Sequence, residues 1–250
     1  MNRNYDKKFT QTAFFNTHPE YLPFVGDRYE EHRILIVGES HYIGQTPETE
    51  KYGIGYFAEK WFTEPAEILT EPYAGWFNTR GVIEDYLSGS RSKGHLIFTN
   101  IIKSFSSAVL DEPVSRINLK ESQKFNCFAF MNYFQMPSVY RGMKFWNALE
   151  ISAEKAGDKD AASQVWLDVN RESAKVLDDV IKALSPELVI FTSKSAYYAY
   201  TAVNTKHRDD KNIFVIPHAG CAWWNKPSKS SNGKSGREIF EEILRENVKK

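Results

Sequence analysis

The chain is poor in cysteine, and its positive and negative charges balance. Cys127 and Cys221 are the two cysteines of the 250-residue sequence, and two thiols cannot by themselves build a four-cysteine zinc or iron–sulfur site. We expect both to be free thiols, as is usual in a reducing cytoplasm. Lysine plus arginine equals aspartate plus glutamate at 32 each, which excludes a globally basic nucleic-acid-binding surface. Any site for a polyanion must therefore be local.

Long apolar runs are also missing. No segment approaches the ~18 consecutive apolar residues of a membrane span, and the amino terminus MNRNYDKKFTQTAFF has no apolar core of signal-peptide length. We expect a cytoplasmic monomer with no membrane partner. Hydrophobic residues make up 42% of the chain and charged residues 26%, which is ordinary for a soluble globular protein. The length fits one α/β domain over 1–250, with an N-terminal arm and short helix over 1–30.

Short apolar runs bounded by turn residues predict four strands. They lie at 33–37, 128–134, 188–191 and 212–216. A run that is apolar at every position is typical of a strand buried on both faces of a parallel sheet. Apolar residues recur at helical spacing in five other segments, namely 75–88, 95–108, 163–184, 194–202 and 236–249. This alternation predicts a three-layer αβα sandwich around a central, mainly parallel four-stranded sheet.

Polar residues end or follow all four predicted strands. They are Gly38-Glu39-Ser40-His41-Tyr42, Asn132, Thr192-Ser193 and His218. The carboxyl ends of parallel strands share one edge, which is where open α/β sheets bind their ligands. We therefore expect a carboxylate, an amide, an imidazole and an aromatic face to converge on one cleft that can read a planar polar ring.

Each of these features also has a purely structural explanation. A glycine followed by small polar residues is common in a plain βα turn. Asn132 must find hydrogen-bond partners wherever it is buried, so it either bridges loop backbone or reads a ligand. His218 could cap a turn.

Four short motifs together resemble the uracil-DNA glycosylase superfamily. They are GESHY after the first strand, Asn132 at the second, the stretch LSPELVIFTSKSAY, and IPHAG after the fourth. The resemblance spans roughly residues 30–225 and implies the fold of that superfamily. It also implies hydrolysis of the N-glycosidic bond of a uracil-type or damaged base in DNA. Many members with a glutamate at the position of Glu39 hold an iron–sulfur cluster, which this chain lacks the cysteines to build, so we expect no cofactor and no metal.

The resemblance assigns a role to each motif residue. Glu39 and His218 would be catalytic, with Glu39 orienting the attacking water and His218 hydrogen-bonding the carbonyl oxygen beside the departing nitrogen. Asn132 would pair with the base edge and Tyr42 would wall off the pyrimidine 5-position. Phe57 is the candidate for the aromatic that stacks on the base. The remaining base-binding candidates are Gly38, Ser40 and His41.

Two of these positions depart from the usual superfamily pattern. Ser40 stands where several members carry aspartate or asparagine, and His41 replaces the usual proline. Ala219-Gly220 replace the Pro-Ser that follows the histidine.

Residues after the histidine motif are candidates for DNA binding. Trp223 and Trp224 could fill the space that an extruded base leaves in the stack, and Lys226 and Lys229 could hold phosphates. The alternative is that the tryptophans pack on the last helix and that KPSKSSNGKSGR is a solvated loop. The expected partner is DNA, including single-stranded DNA, or a nucleobase-like or nucleotide-like ligand.

Two other functions remain open. The same fold could bind nucleic acid or a nucleotide without catalysis, which balanced charge and altered motifs would suit. GESHY is also one residue away from the G-x-S-x-G elbow of α/β-hydrolases, and His218 preserves their serine-then-histidine order. In that case Ser40 would be a nucleophile, although Tyr42 stands where a glycine normally permits the tight turn.

Overall fold

The computed structural model describes residues 1–42, 55, 57–63, 78–90, 92–140, 143–155, 157, 160–208 and 210–248. Most of the segment 43–72 and the first part of the predicted helix 75–88 lie outside these residues. The described residues form ten α-helices, several short 3-10 helices and one five-stranded sheet. None of the described helices is long and apolar enough to cross a membrane.

The sheet is mixed but mostly parallel. Its strands are β1 (Phe24–Val25), β2 (Ile34–Gly38), β3 (Phe128–Asn132), β4 (Leu188–Phe191) and β5 (Ile213–Val215), in the order β1-β3-β2-β4-β5. β2 lies at the centre and pairs in parallel with β3 and β4, and β4 pairs in parallel with β5. The register places Gly38 opposite Asn132, so the polar ends of β2 and β3 are neighbours.

The predicted number of four strands was wrong, because an additional strand, β1, lies at one edge. The four parallel strands that the apolar runs predicted are all present. β1 is only two residues long and pairs antiparallel with β3, placing Phe24 opposite Phe130 and Val25 opposite Ala129. So short a strand has no detectable period in the sequence, and only its pairing with a distant segment defines it.

Helices cover both faces of the sheet. They are α1 (Asp6–Phe9), α2 (Ala13–Thr17), α3 (57–63), α4 (Thr79–Leu87), α5 (Leu96–Ala108), α6 (Leu119–Ser122), α7 (Phe145–Lys155), α8 (Ala161–Leu184), α9 (Lys194–Val203) and α10 (Gly236–Asn247). The N-terminal arm therefore holds two short helices instead of one. α7 was not predicted, because the residues around it show no sustained apolar period.

Alternate side chains of the strands feed two apolar layers. Ile34 and Ile36 of β2 pack in one layer with α4, α5 and α10. Leu35 and Val37 point to the opposite layer, which α1, α2, α3, α7, α8 and α9 cover. All five residues of β2 are buried, which is the physical reason for its uninterrupted apolar sequence. The polar residues that follow β2 can therefore lie only at the carboxyl edge of the sheet.

Candidate active site

A cavity of about 670 Å³ opens at the carboxyl edge of the sheet. Glu39 and Tyr42 reach it from the segment after β2, Ser193 from the segment after β4, and His218 from the segment after β5. The structure thus brings the two candidate catalytic residues to one cavity, although 179 positions separate them in the sequence (218 − 39). Parallel strands make this possible, because all their carboxyl ends meet at the same edge.

The Glu39 carboxylate is held at the amino ends of two helices. The backbone N–H of Phe145, the first residue of α7, donates to Oε1 at 3.0 Å. Ser193, the N-cap of α9, donates its hydroxyl to Oε2 at 2.7 Å. The Ser193 oxygen also accepts from the backbone N–H of Ala196 at 3.2 Å, which directs its own proton to Glu39. Partial positive charge at both helix ends favours the carboxylate, and each of its oxygens keeps a lone pair for another donor.

His218 is held as a hydrogen-bond donor. The backbone N–H of Gly220 donates to Nδ1 at 3.1 Å, so the proton of the neutral ring is on Nε2. Burial lowers the pKa of His218 below its ordinary value, and the nearby Glu39 carboxylate offsets this only in part. At neutral pH the ring is therefore a neutral imidazole with one N–H to offer.

Gly38 makes room for the Asn132 side chain. A Cβ atom at position 38 would lie 2.2 Å from Asn132 Oδ1 and 3.1 Å from Cζ of Phe130. The carboxamide of Asn132 is half-buried and hydrogen-bonds to no other residue in the described ranges. Asn132 is not among the described residues that line the cavity. Its amide lies beside the backbone of Gly38, the residue before Glu39.

Two of the other first-motif residues are buried away from the cavity. Ser40 and His41 are each 8% exposed, and neither lines the cavity. The Ser40 hydroxyl has no hydrogen-bond partner within the part of the chain that the structure describes. His41 Nε2 lies 2.9 Å from Thr79 Oγ1. Of the three residues that follow Glu39 in this motif, Tyr42 is the one in the described cavity lining, and it also forms a parallel bridge with Ser138.

Phe57 does not lie at the cavity. Its side chain is 1% exposed and stacks on Trp61 with the ring centroids 6.1 Å apart. Both rings belong to the apolar layer under α3. Phe57 would have to leave this layer to stack on a base. No described side chain of α3 lines the cavity, so none is placed for the predicted stacking role.

Trp223 and Trp224 lie in different environments. Trp223 is 54% exposed and lines the cavity, whereas Trp224 is 1% exposed and packs against Phe240 of α10 at 5.8 Å. For Trp224, the alternative that the side chain packs on the last helix is therefore confirmed. Lys226 and Lys229 are exposed and are not part of the described cavity lining.

Two lysines that the sequence analysis did not single out line the cavity. Lys144 directly precedes α7, and Lys194 is the first residue of α9. They are therefore sequence neighbours of Phe145 and Ser193, the two residues that hold Glu39. The sequence pattern could have pointed to Lys194 as a site residue, because it follows Thr192-Ser193 after the predicted strand 188–191. Lys144 carried no such signal, because α7 was not predicted.

The buried imidazole of His41 makes stability depend on pH. Burial lowers the pKa of His41 to about 3, whereas the unfolded ring titrates near 6.5. Between these values only the unfolded chain takes up the proton, so stability is full above about pH 6.5 and falls as the pH drops toward 3. The loss attributable to His41 is up to about 1.4 kcal/mol per pH unit. We expect urea unfolding from about pH 7 to about pH 4 to show a steeper loss for the native chain than for His41→Gln. Equal slopes would contradict this.

The cavity combines a fixed carboxylate, a neutral imidazole and two ammonium groups. This set can position a water molecule, donate to a developing oxyanion and attract a phosphate. A scan against protein-family models, a search of curated proteins and a search of solved structures found no significant match to the chain.

Proposed function

We propose that this protein hydrolyses the N-glycosidic bond of a uracil-type or damaged base in DNA, as a divergent member of the uracil-DNA glycosylase superfamily. The observation that carries the proposal is that Glu39 and His218 line one cavity. The two side chains supply complementary functions. A carboxylate can hold the attacking water, and a neutral imidazole can stabilise the departing base.

In the proposed reaction, the bond between the base nitrogen and the sugar C1′ lengthens, and its electron pair stays on the base. The Nε2–H of His218 donates to the base carbonyl oxygen where negative charge develops. A water molecule that donates to Glu39 attacks C1′, and the carboxylate takes up the proton that the water loses. The base leaves as an anion and is protonated afterwards, so the products are a free base and an abasic sugar.

Asn132 and Tyr42 account for base recognition in this proposal. The half-buried amide of Asn132 offers both a donor and an acceptor, which is what reading the polar edge of a pyrimidine requires. Asn132 lies outside the described cavity lining, so in this proposal the base must extend past that lining to reach it. Tyr42 lines the cavity and would exclude a base with a methyl group at the 5-position. Discrimination between uracil and thymine then depends on this one aromatic wall.

Trp223 and the lysines account for the DNA strand. Trp223 is the exposed aromatic at the cavity mouth and can occupy the space that the flipped base vacates. Lys144 and Lys194, which line the cavity, can contact phosphates next to the flipped nucleotide, and the exposed Lys226 and Lys229 can contact other phosphates of the strand.

Base release from a labelled single-stranded oligonucleotide with one uracil tests the proposal. Alkaline cleavage at the abasic site reports the reaction, and the matched oligonucleotide with thymine is the substrate control. We expect cleavage with uracil and little with thymine. Binding of both oligonucleotides without cleavage of either would contradict hydrolysis and favour a binding module.

One observation favours binding without catalysis as the second candidate. Ser40 stands where several superfamily members carry aspartate or asparagine, and its hydroxyl is buried outside the described cavity lining. The same observation weakens the serine-hydrolase alternative. A nucleophilic serine needs a hydrogen-bonded base, and within the described ranges no group bonds to Ser40 Oγ.

A further inference from the structure

A carboxylate, an imidazole and a thiol meet at the opposite edge of the sheet, where β2 and β3 begin. The ligand atoms of Glu31, His32 and Cys127 all lie within 4.8 Å of one another. Glu31 and Cys127 are the last residues of two 3-10 helices, Tyr29–Glu31 and Gln123–Cys127. None of the three lines the cavity at the carboxyl edge.

Backbone pairing fixes the two segments that carry these side chains. The N–H of Arg28 donates to the carbonyl of Asn126 at 3.0 Å, and the N–H of Gly26 donates to the carbonyl of Phe128 at 2.9 Å. The His32 ring packs edge-on against Phe105, with the centroids 5.3 Å apart. The three donor groups are therefore close before any ligand arrives, and only side chains need to move.

We propose that Glu31, His32 and Cys127 bind one divalent transition-metal ion of the Zn²⁺ type, with water as a fourth ligand. Oxygen, nitrogen and sulfur donors together suit this borderline-soft ion. With Zn–S near 2.3 Å and Zn–N near 2.0 Å, neighbouring donors in a tetrahedral site lie about 3.5 Å apart. Because the donor atoms lie at most 4.8 Å apart, they need to approach by no more than about 1.3 Å, which rotation of the exposed Glu31 and half-buried His32 side chains can supply.

The charge of the ion is also matched by the charges of its proposed ligands. As the Sγ–metal bond forms, the Cys127 thiol gives its proton to solvent. A thiolate and a carboxylate then neutralise the two positive charges of the ion, while His32 binds as a neutral ring. This matters because Cys127 is fully buried, where an uncompensated charge would be costly.

Arg28 would compete with the metal ion for the Glu31 carboxylate. Its guanidinium donates to both oxygens of Glu31, at 2.8 and 2.7 Å, and lies close enough to Cys127 for their charges to interact. Arg28 thus supplies the positive charge of this cluster, and Glu31 must release at least one oxygen to coordinate an ion. Removing the guanidinium should therefore tighten metal binding.

Titration of the full-length protein with Co²⁺ under reducing conditions tests the proposal. We expect one ion per chain, an absorption band from thiolate-to-cobalt charge transfer, and loss of the band when Zn²⁺ is added. Cys127→Ser should abolish the band, whereas Cys221→Ser, the matched control at the other free thiol, should keep it. No band in the native protein, or a band that disappears with Cys221→Ser, would overturn the proposal.

Two further variants keep the test decisive if Cys127→Ser does not fold. Loss of an outer-shell partner typically weakens metal binding by about 10–100-fold, so loss of the direct ligand in His32→Gln should weaken it by at least about 100-fold. Arg28→Gln should tighten binding severalfold. Unchanged affinity in His32→Gln, or weaker binding in Arg28→Gln, would refute coordination by this cluster. Far-ultraviolet circular dichroism establishes that each variant is folded.

Discussion

Glu39→Gln is expected to lower the rate of base release by about 10²–10⁴-fold. The amide is nearly isosteric with the carboxylate, and its oxygen can still accept from the Phe145 N–H. It cannot take up a proton from the attacking water, and its NH₂ group would face the Ser193 hydroxyl that now donates to Oε2. Single-turnover cleavage of the uracil oligonucleotide measures the effect.

Oligonucleotide affinity separates a loss of catalysis from a loss of binding. We expect the dissociation constant of Glu39→Gln to change little, because this residue acts on the water and the sugar in the transition state. Glu150→Gln is the matched control, since Glu150 is exposed on α7, the helix whose amino end holds Glu39. A cleavage rate for Glu39→Gln equal to that of Glu150→Gln would refute the assigned role.

Gly26→Ala is expected to lower the free energy of unfolding by about 3 kcal/mol or more. A Cβ atom at this position would lie 2.0 Å from the carbonyl oxygen and 2.4 Å from the carbonyl carbon of Asn126. These are backbone atoms, so no side-chain rotation relieves the clash. The Gly26 N–H also donates to the Phe128 carbonyl, so moving the chain apart would break the junction of β1 with β3.

Gly94→Ala is the control for this prediction. A Cβ atom at position 94 would meet only the Ser92 hydroxyl oxygen, at 3.6 Å, which is an ordinary contact. We expect its free energy of unfolding to stay within about 0.5 kcal/mol of the native value. Urea denaturation of both variants provides the comparison. Equal stability of Gly26→Ala and Gly94→Ala would show that the backbone at Asn126 yields easily.

Local sequence patterns predicted most of the regular structure. The four apolar runs became β2 to β5. Four segments with helical spacing became α5, α8, α9 and α10, and α4 occupies the described part of the fifth, 75–88. Among the segments that were missed, β1 and α7 lack a period of their own. β1 exists because Phe24–Val25 pairs with β3, and a pairing between distant segments leaves no local signal.

Position at a strand end brought Glu39 and His218 to the described cavity lining, but not Asn132, which ends β3 outside it. Glu39 and His218 follow buried parallel strands, and the common edge of the sheet brings them to one cavity. Phe57 and Trp224 were assigned by residue type alone, and both pack in the apolar layers. Aromatic residues serve a core and a binding site equally well, so their exposure depends on which neighbours cover them.

The sequence by itself determined that the chain forms a mainly parallel α/β sheet with polar side chains at its carboxyl edge, because burial on both faces requires uninterrupted apolar runs. Only the tertiary structure decided which polar groups face the cavity and how they are held. The amino ends of α7 and α9 fix the Glu39 carboxylate, the Gly220 N–H sets the tautomer of His218, and Ser40 turns away from the cavity. These are contacts between segments far apart in the chain, and their geometry depends on packing that no local pattern encodes.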